Sequence, residues 1–146
     1  MEDNITFKHT MPAQLRFSDV DRLGHVNNSV YFSLYDLAKT TYLHDVMAGN
    51  IDWDNGSVVI ANIQANFLAP VFFGEPIAIQ TATTRIGHKS FTLMQRAVNM
   101  DSGEVKCTCQ TVMVGYDVKA KQSQLIPEEY KRAICAFEGR DDLVKE

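Results

Sequence analysis

Asp19 and Asp21 stand two residues apart in the run Arg16-Phe17-Ser18-Asp19-Val20-Asp21-Arg22-Leu23-Gly24-His25-Val26-Asn27-Asn28-Ser29-Val30-Tyr31, just ahead of a histidine and an asparagine pair. The run ends a strand-like alternation, turns at Gly24 and enters a helix at the asparagines. Both acids and His25 therefore fall beside a helix N-terminus, where unpaired N–H groups attract anions. A carboxylate held there can activate water, or attack directly, while the N–H groups hold a developing oxyanion. That combination is hydrolytic acyl chemistry. Asp21 is also a residue type that fills turns and helix caps. Asp19 reads first as an acid bonded to N–H groups of the following turn, although on an extended strand it would face the same way as Asp21. His25 has two readings: a polar cap, or a group that orients Asp21, binds water or hydrogen-bonds a carbonyl. The side chains of Asn27 and Asn28 suit capping.

The elements that must position this run are visible downstream. Residues 29 to about 47 have few breakers and predict one long helix ending before Gly49. Its polar positions Ser29, Ser33, Asp36, Thr40 and His44 trace a narrow stripe, and most of the remaining circumference is apolar. Such a helix is expected to be largely enclosed, as by a curved sheet. Period-two alternation follows, with Val59, Ala61, Ile63, Ala65 and Phe67 on one face and Asn62, Gln64 and Asn66 on the other. Pro70 and the Gly74-Glu75-Pro76 cluster close that strand. Three more strands are expected over about residues 77–86, 91–100 and 105–116, joined by short links at Gly87 and Gly103 that force antiparallel neighbours. Residues 127–137 read as a short helix with Pro127 near its first turn.

A chain of 146 residues, 45% apolar, is enough for one packed core, and residues 1–146 read as one domain. A net charge of −4 argues against a nucleic-acid partner. The opening residues show no secretory pattern, and no apolar run approaches the roughly 20 residues that span a bilayer. The expected setting is cytoplasmic, with no membrane partner. Three cysteines, an odd count, suit a reducing compartment. Cys107 and Cys109 share a strand face and read as core packing, as does Cys135. No Gly-rich nucleotide loop and no metal-ligand spacing is visible, so neither a metal nor a cofactor is expected. Trp53 reads as a pocket wall or a core cover.

The run from Arg16 to Tyr31, with its Gly-His-Val-Asn-Asn portion, resembles the signature of hotdog-fold acyl thioesterases, the 4-hydroxybenzoyl-CoA thioesterase-like family. The element order over about residues 13–117 agrees. The resemblance implies an α+β fold in which a five-stranded antiparallel sheet wraps one long helix. It also implies hydrolysis of an acyl-CoA thioester, with coenzyme A entering only as part of the substrate. It places the family's catalytic carboxylate on Asp21, an oxyanion-holding main-chain N–H at Asn28, His25 beside them, and the family's helix tyrosine, a substrate contact, at Tyr31. Ligand contacts are implied around the Gly87 turn, at Arg85, His88, Lys89 and Ser90. That turn also has a plain reading as a solvated hairpin tip.

Two positions depart from the acyl-carrier-protein branch of the resemblance. Leu23 stands where plant members have Asn, and Asp36 where a Glu is often found. The simpler acyl-CoA mechanism survives both. Rival readings are an acyl-carrier-protein thioesterase, a hotdog hydratase or dehydratase and a non-catalytic acyl-thioester binding module, since fold alone does not fix function. A homodimer or homotetramer is expected, because residues 59–67 carry no Lys or Pro to discourage edge pairing. Family members also build their sites at a subunit interface.

Overall fold

The computed structural model describes residues 5–51 and 58–145. The turn expected at residues 52–56 and Trp53 lie outside the described residues. Three long strands, β3 (Ile77–Ile86), β4 (Ser90–Asn99) and β5 (Val105–Asp117), pair antiparallel through the short links their sequence predicts. A short strand, β1 (His9–Pro12), adds to the free side of β3, and β2 (Val58–Phe67) adds to the free side of β5. The order across the sheet is β1-β3-β4-β5-β2, with a two-residue strand, β6 (Gln122–Ser123), paired to β5. This is the α+β hotdog architecture, its five main strands wrapped around α1 (Asn28–Val46).

Asn27 starts α1 as its cap, its Oδ1 accepting from the Ser29 N–H at 3.0 Å and from the Ser29 hydroxyl at 2.9 Å. Tyr31, Tyr35 and Ala38 then pack onto Ile77, Ile79, Ala97, Cys107 and Cys109. Both strand cysteines are buried thiols, and burial pushes the Cys107 thiol up to about 11. The helix is less enclosed than its composition predicts. Its polar stripe lies at the surface, and Leu37 beside it is 57% exposed. Lys39, outside the expected stripe, is instead buried. Its Nζ donates to Gln95 Oε1 at 3.3 Å, and Gln95 Nε2 donates onward to the Tyr35 carbonyl and the Thr81 hydroxyl. Buried polar groups persist when they are paired in this way.

The alternation expected for β2 slips once. A bulge between Ile60 and Asn62 leaves Ala61 without a cross-strand partner, so Ile60 and not Val59 stands opposite the inward-facing Met113. One inserted residue moves every side chain on one side of it to the other face. Ile63, Ala65 and Phe67 keep the expected face, opposite Thr111, Cys109 and Cys107.

The far end of the barrel-like wrap is closed by α2 (Glu128–Glu138) and the tail. Tyr42 donates its hydroxyl hydrogen to Glu138 at 2.5 Å and lies 2.7 Å from the Thr83 hydroxyl, while the Thr83 N–H donates to Glu138 as well. Tail main chain adds to β3, with the Ile86 N–H donating to the Leu143 carbonyl and the Lys145 N–H to the Ile86 carbonyl. Leu93, Phe91, Ile134 and Leu143 are fully buried beneath. Truncating Phe91 to Ala would cost about 3–5 kcal/mol in such a site.

Candidate active site

The acidic run folds as a turn braced at both ends. Residues Phe17–Asp19 form one 3₁₀ turn, not the extended strand expected for Asp19. Asp19 turns back onto Arg16, accepting from its N–H at 2.7 Å and from its guanidinium at 2.9 and 3.2 Å. The Arg16 guanidinium and N–H hold that carboxyl below its ordinary range. A period-two projection fails here because the 3₁₀ turn rotates Asp19 away from Asp21.

Asp21 opens the next turn. Its main-chain N–H donates to the His25 carbonyl at 2.8 Å, and its Oδ1 accepts from Leu23 N–H at 2.9 Å and His25 N–H at 3.4 Å. Gly24 sits at φ +82°, a conformation that costs glycine little. The turn reading of Asp21 therefore holds in geometry. It uses one carboxylate oxygen and leaves Oδ2 outside the turn, on an exposed side chain. Val20 and Val26 bridge across the base, and the Asn27 N–H donates to the Asp19 carbonyl at 2.9 Å.

A second segment supports the turn from outside. Val26 N–H donates to the Val71 carbonyl, His25 bridges Phe72, and the two rings meet edge to face with centroids 4.9 Å apart. This segment is itself tied to the sheet. The Phe72 N–H donates to Glu75 Oε2 at 2.7 Å, while Asn99 and Lys106 hold Glu75 Oε1 at 2.9 and 3.1 Å. Burial pushes the Glu75 carboxyl up, but the Phe72 N–H, Asn99 and Lys106 outweigh it and hold it below its ordinary value.

Asp21, His25, Asn28 and Tyr31 line one cavity of about 390 Å³, together with residues Phe67 to Pro70. Asn28 is the first residue of α1, and among the described residues its N–H has no hydrogen-bond partner. Burial pushes the Tyr31 phenol up to about 12, so it stays protonated and able to donate. The four residues expected at the reacting end are thus brought together. Phe67–Pro70 were not foreseen as walls. Pro70 marks the strand's end in the sequence, but only the β2–β5 register shows that this end meets α1's first turn, where Tyr31 and Phe67 contact edge to face at 5.3 Å.

Arg85, His88, Lys89 and Ser90 are not part of this cavity. They cluster at the β3–β4 turn, with Arg85, His88 and Lys89 exposed and the Gly87 N–H donating to the Ser90 carbonyl at 2.7 Å. The Asp21 end of the sheet is marked by Ile77, whose carbonyl accepts from the Ala13 N–H, and by Phe67 opposite Cys107. Ten-residue strands separate the two ends by about 30 Å. Within one chain, Arg85, His88, Lys89 and Ser90 lie at the opposite end of the sheet from Asp21, His25 and Asn28. Sequence spacing alone does not reveal this, because a hairpin tip and a motif loop can share an end only if the register says so.

Asp36 lies on the exposed face of α1, 3.5 Å from Lys39, outside the cavity. Among the described residues, no group of three or more His, Cys, Asp or Glu could hold a metal ion. No helix there is long and apolar enough to cross a membrane.

The geometry has counterparts. The profile of the thioesterase-like superfamily matches residues 15–134. A thioesterase of Thermus thermophilus, solved with coenzyme A and Zn, superposes with a TM-score of 0.82 at 28% identity, over 92% of this chain and 96% of that one. The PA5185 protein of Pseudomonas aeruginosa PAO1 superposes with a TM-score of 0.79 at 26% identity, over 90% of this chain and 92% of that one. The Bacillus subtilis protein YsmA is 26% identical over 131 residues, 88% of this chain and 86% of its own length. The motif turn, α1 and strands β2 to β5 fall together inside the matched span, and the chain belongs to the thioesterase-like superfamily.

Proposed function

We propose that this chain hydrolyses an acyl-coenzyme A thioester to the free acid and coenzyme A. The observation that carries the reading is the cavity lined together by Asp21, His25 and Asn28, whose N–H has no partner among the described residues. A thioester loses a good leaving group, so a carboxylate and an oxyanion-holding N–H suffice. Asp21, as general base, takes a proton from water as the water oxygen bonds to the carbonyl carbon. The Asn28 N–H holds the resulting oxyanion. Collapse breaks the C–S bond, and the thiolate leaves to be protonated. Asp21 as nucleophile gives the same products through an anhydride. Coenzyme A in the Thermus thermophilus relative supports the substrate class.

The working unit of this reading is a dimer. β2 is an open edge, and its exposed Asn62, Gln64 and Asn66 carry no charge to repel a second copy. Ser90 pairs with Val114, and Val114 with Val59, so Ser90 lies about 10 Å in from the Val59 end of that edge. Two β2 strands paired antiparallel about a two-fold axis near Ile63 set Phe67 of one copy beside Val59 of the other. The Lys89–Ser90 turn of a second copy then approaches the Asp21 cavity, where it can hold the nucleotide end of coenzyme A. Six exposed apolar residues rim the motif end, Phe17, Leu23, Phe67, Leu68, Phe72 and Phe73, more than a free surface usually shows in one place.

Thiol release from a panel of aliphatic and aromatic acyl-CoA thioesters tests the reading. Turnover on at least one member is expected. A change in enoyl absorbance without thiol release would assign a hydratase instead, and tight binding without either would assign a binding module.

A further inference from the structure

The face of the sheet turned away from α1 carries a polar row that the Asp21 cavity does not use. Thr10, Gln80, Arg96, Thr108 and Asn66 are successive cross-strand partners on β1, β3, β4, β5 and β2, so all five share that face. Hydrogen bonds run along the row from both ends. Gln80 Nε2 donates to Thr10 at 3.4 Å, Arg96 Nε donates to Gln80 Oε1 at 2.7 Å, and Asn66 Nδ2 donates to the Thr108 hydroxyl at 3.5 Å. The row breaks between Arg96 and Thr108. There a cavity of about 400 Å³ opens, walled by Ile5, Phe7, Leu68, Met94 and Val105. The Phe7 ring centroid stands 4.2 Å from the Arg96 guanidinium carbon.

Counting donors gives the break its chemistry. Thr108 already accepts from Asn66, so its own hydroxyl hydrogen remains to be donated. Arg96 commits Nε to Gln80, which leaves its terminal N–H groups. Among the described residues no carboxylate pairs with Arg96, and burial alone holds it below its ordinary value. Among the described residues, donors thus stand on both sides of a gap with apolar side chains around it and no carboxylate between them, a costly state for a half-buried cation.

We propose that this cavity binds a small carboxylate with an apolar tail. The carboxylate spans Arg96 and Thr108, completing the row with charge-assisted hydrogen bonds. The tail lies against Met94, Leu68 and Val105 beneath Phe7. The volume is within the range of small-molecule sites. Leu68 also lines the Asp21 cavity, so the two pockets share one residue. Binding here requires no catalysis, and it stands or falls apart from the thioester reading.

The test is a calorimetric titration of the full chain with octanoate, with 1-octanol as the uncharged comparator. Saturable binding of octanoate and none of 1-octanol is expected. Arg96→Gln, checked for an unchanged melting profile, is expected to weaken octanoate by at least ~10-fold, and Thr108→Val by about threefold, the scale of charge-assisted against neutral hydrogen bonds. Asp21→Asn should leave the affinity unchanged, which separates this site from the reacting cavity. Three results overturn the proposal: no saturation, equal binding of octanoate and 1-octanol, or loss of octanoate binding in Asp21→Asn but not in Arg96→Gln. Association of the protein through this face with no octanoate bound would assign it to a second copy and overturn it too.

Discussion

The two ends of the sheet differ in how they are finished. At the Gly87 end, α2 and the tail cover the strand ends, Tyr42, Thr83 and Glu138 form a buried hydrogen-bonded group, and the exposed residues are Arg85, His88 and Lys89. At the motif end no element caps the opening among the described residues. Phe17 is 81% exposed and Leu23 75%, while the Asp21 turn is held by main-chain bonds and by Glu75 and Lys106. One end is complete as folded and offers cations. The other has its backbone held by hydrogen bonds, yet leaves apolar surface and, among the described residues, the Asn28 N–H without a partner beside a cavity. The contrast teaches that rigidity and closure are separate achievements. The motif end has the first; in the proposed dimer it would obtain the second from another copy of the chain paired on the open β2 edge.

The largest effect expected from breaking this contrast is at Asp21. Asp21→Asn keeps an oxygen to accept from the Leu23 N–H, so the turn and the melting temperature should persist while thioester turnover falls by at least ~10²-fold, the scale of removing a general base. Steady-state kinetics on the folded variant check this. Unchanged turnover would leave Asp21 with only its turn.

Closure is broken at the edge. Asn62→Lys together with Gln64→Lys sets like charges across a two-fold pairing of β2. Such juxtaposition costs several kcal/mol, so the dimer dissociation constant should rise by at least ~10²-fold. Light scattering across a dilution series reads the mass, and activity is expected to fall with it. A variant that stays dimeric and active would place the interface elsewhere.

The smallest effect concerns the brace. Glu75 is held below its ordinary value, so it releases its proton more readily folded than unfolded. Its contribution is present above the ordinary carboxylate range and is lost as pH falls through the lowered folded value. Glu75→Gln should lower Tm by about 3 °C at neutral pH, with the gap to the parent shrinking in acid. Thermal melts between neutral pH and the acid range test the sign. A gap that widens in acid would contradict it.

Much of this was legible in the chain. Gly24 between two acids and an asparagine pair specifies a turn into a helix whatever packs around it, and the Gly87 and Gly103 links dictate antiparallel strands. What escaped depends on register and on local winding. Val59 and Ile60 exchange faces because a bulge cannot be seen in an alternation of small and apolar residues. Asp19 left the expected face because Arg16, three residues earlier, closes a 3₁₀ turn on it. The separation of Lys89 from Asp21 is a property of the whole sheet, carried by ten-residue strands and not by any motif. Lys39 was missed because its partner, Gln95, lies 56 residues away.

The most direct test of the central claim, that one site draws on two copies, is to mix Asp21→Asn protein with Lys89→Ala protein and measure thioester hydrolysis at low substrate. Alone, the first is expected to lack turnover and the second to have a raised KM with kcat little changed, because a nucleotide contact is remote from the reacting carbon. In a mixed dimer, Asp21 comes from one subunit and Lys89 from the other, so one site of the two is intact. After subunit exchange at equal amounts, about a quarter of all sites should regain the parental KM if random pairing makes half the dimers mixed. Activity that merely averages the two variants, with no component of parental KM, would contradict a shared site.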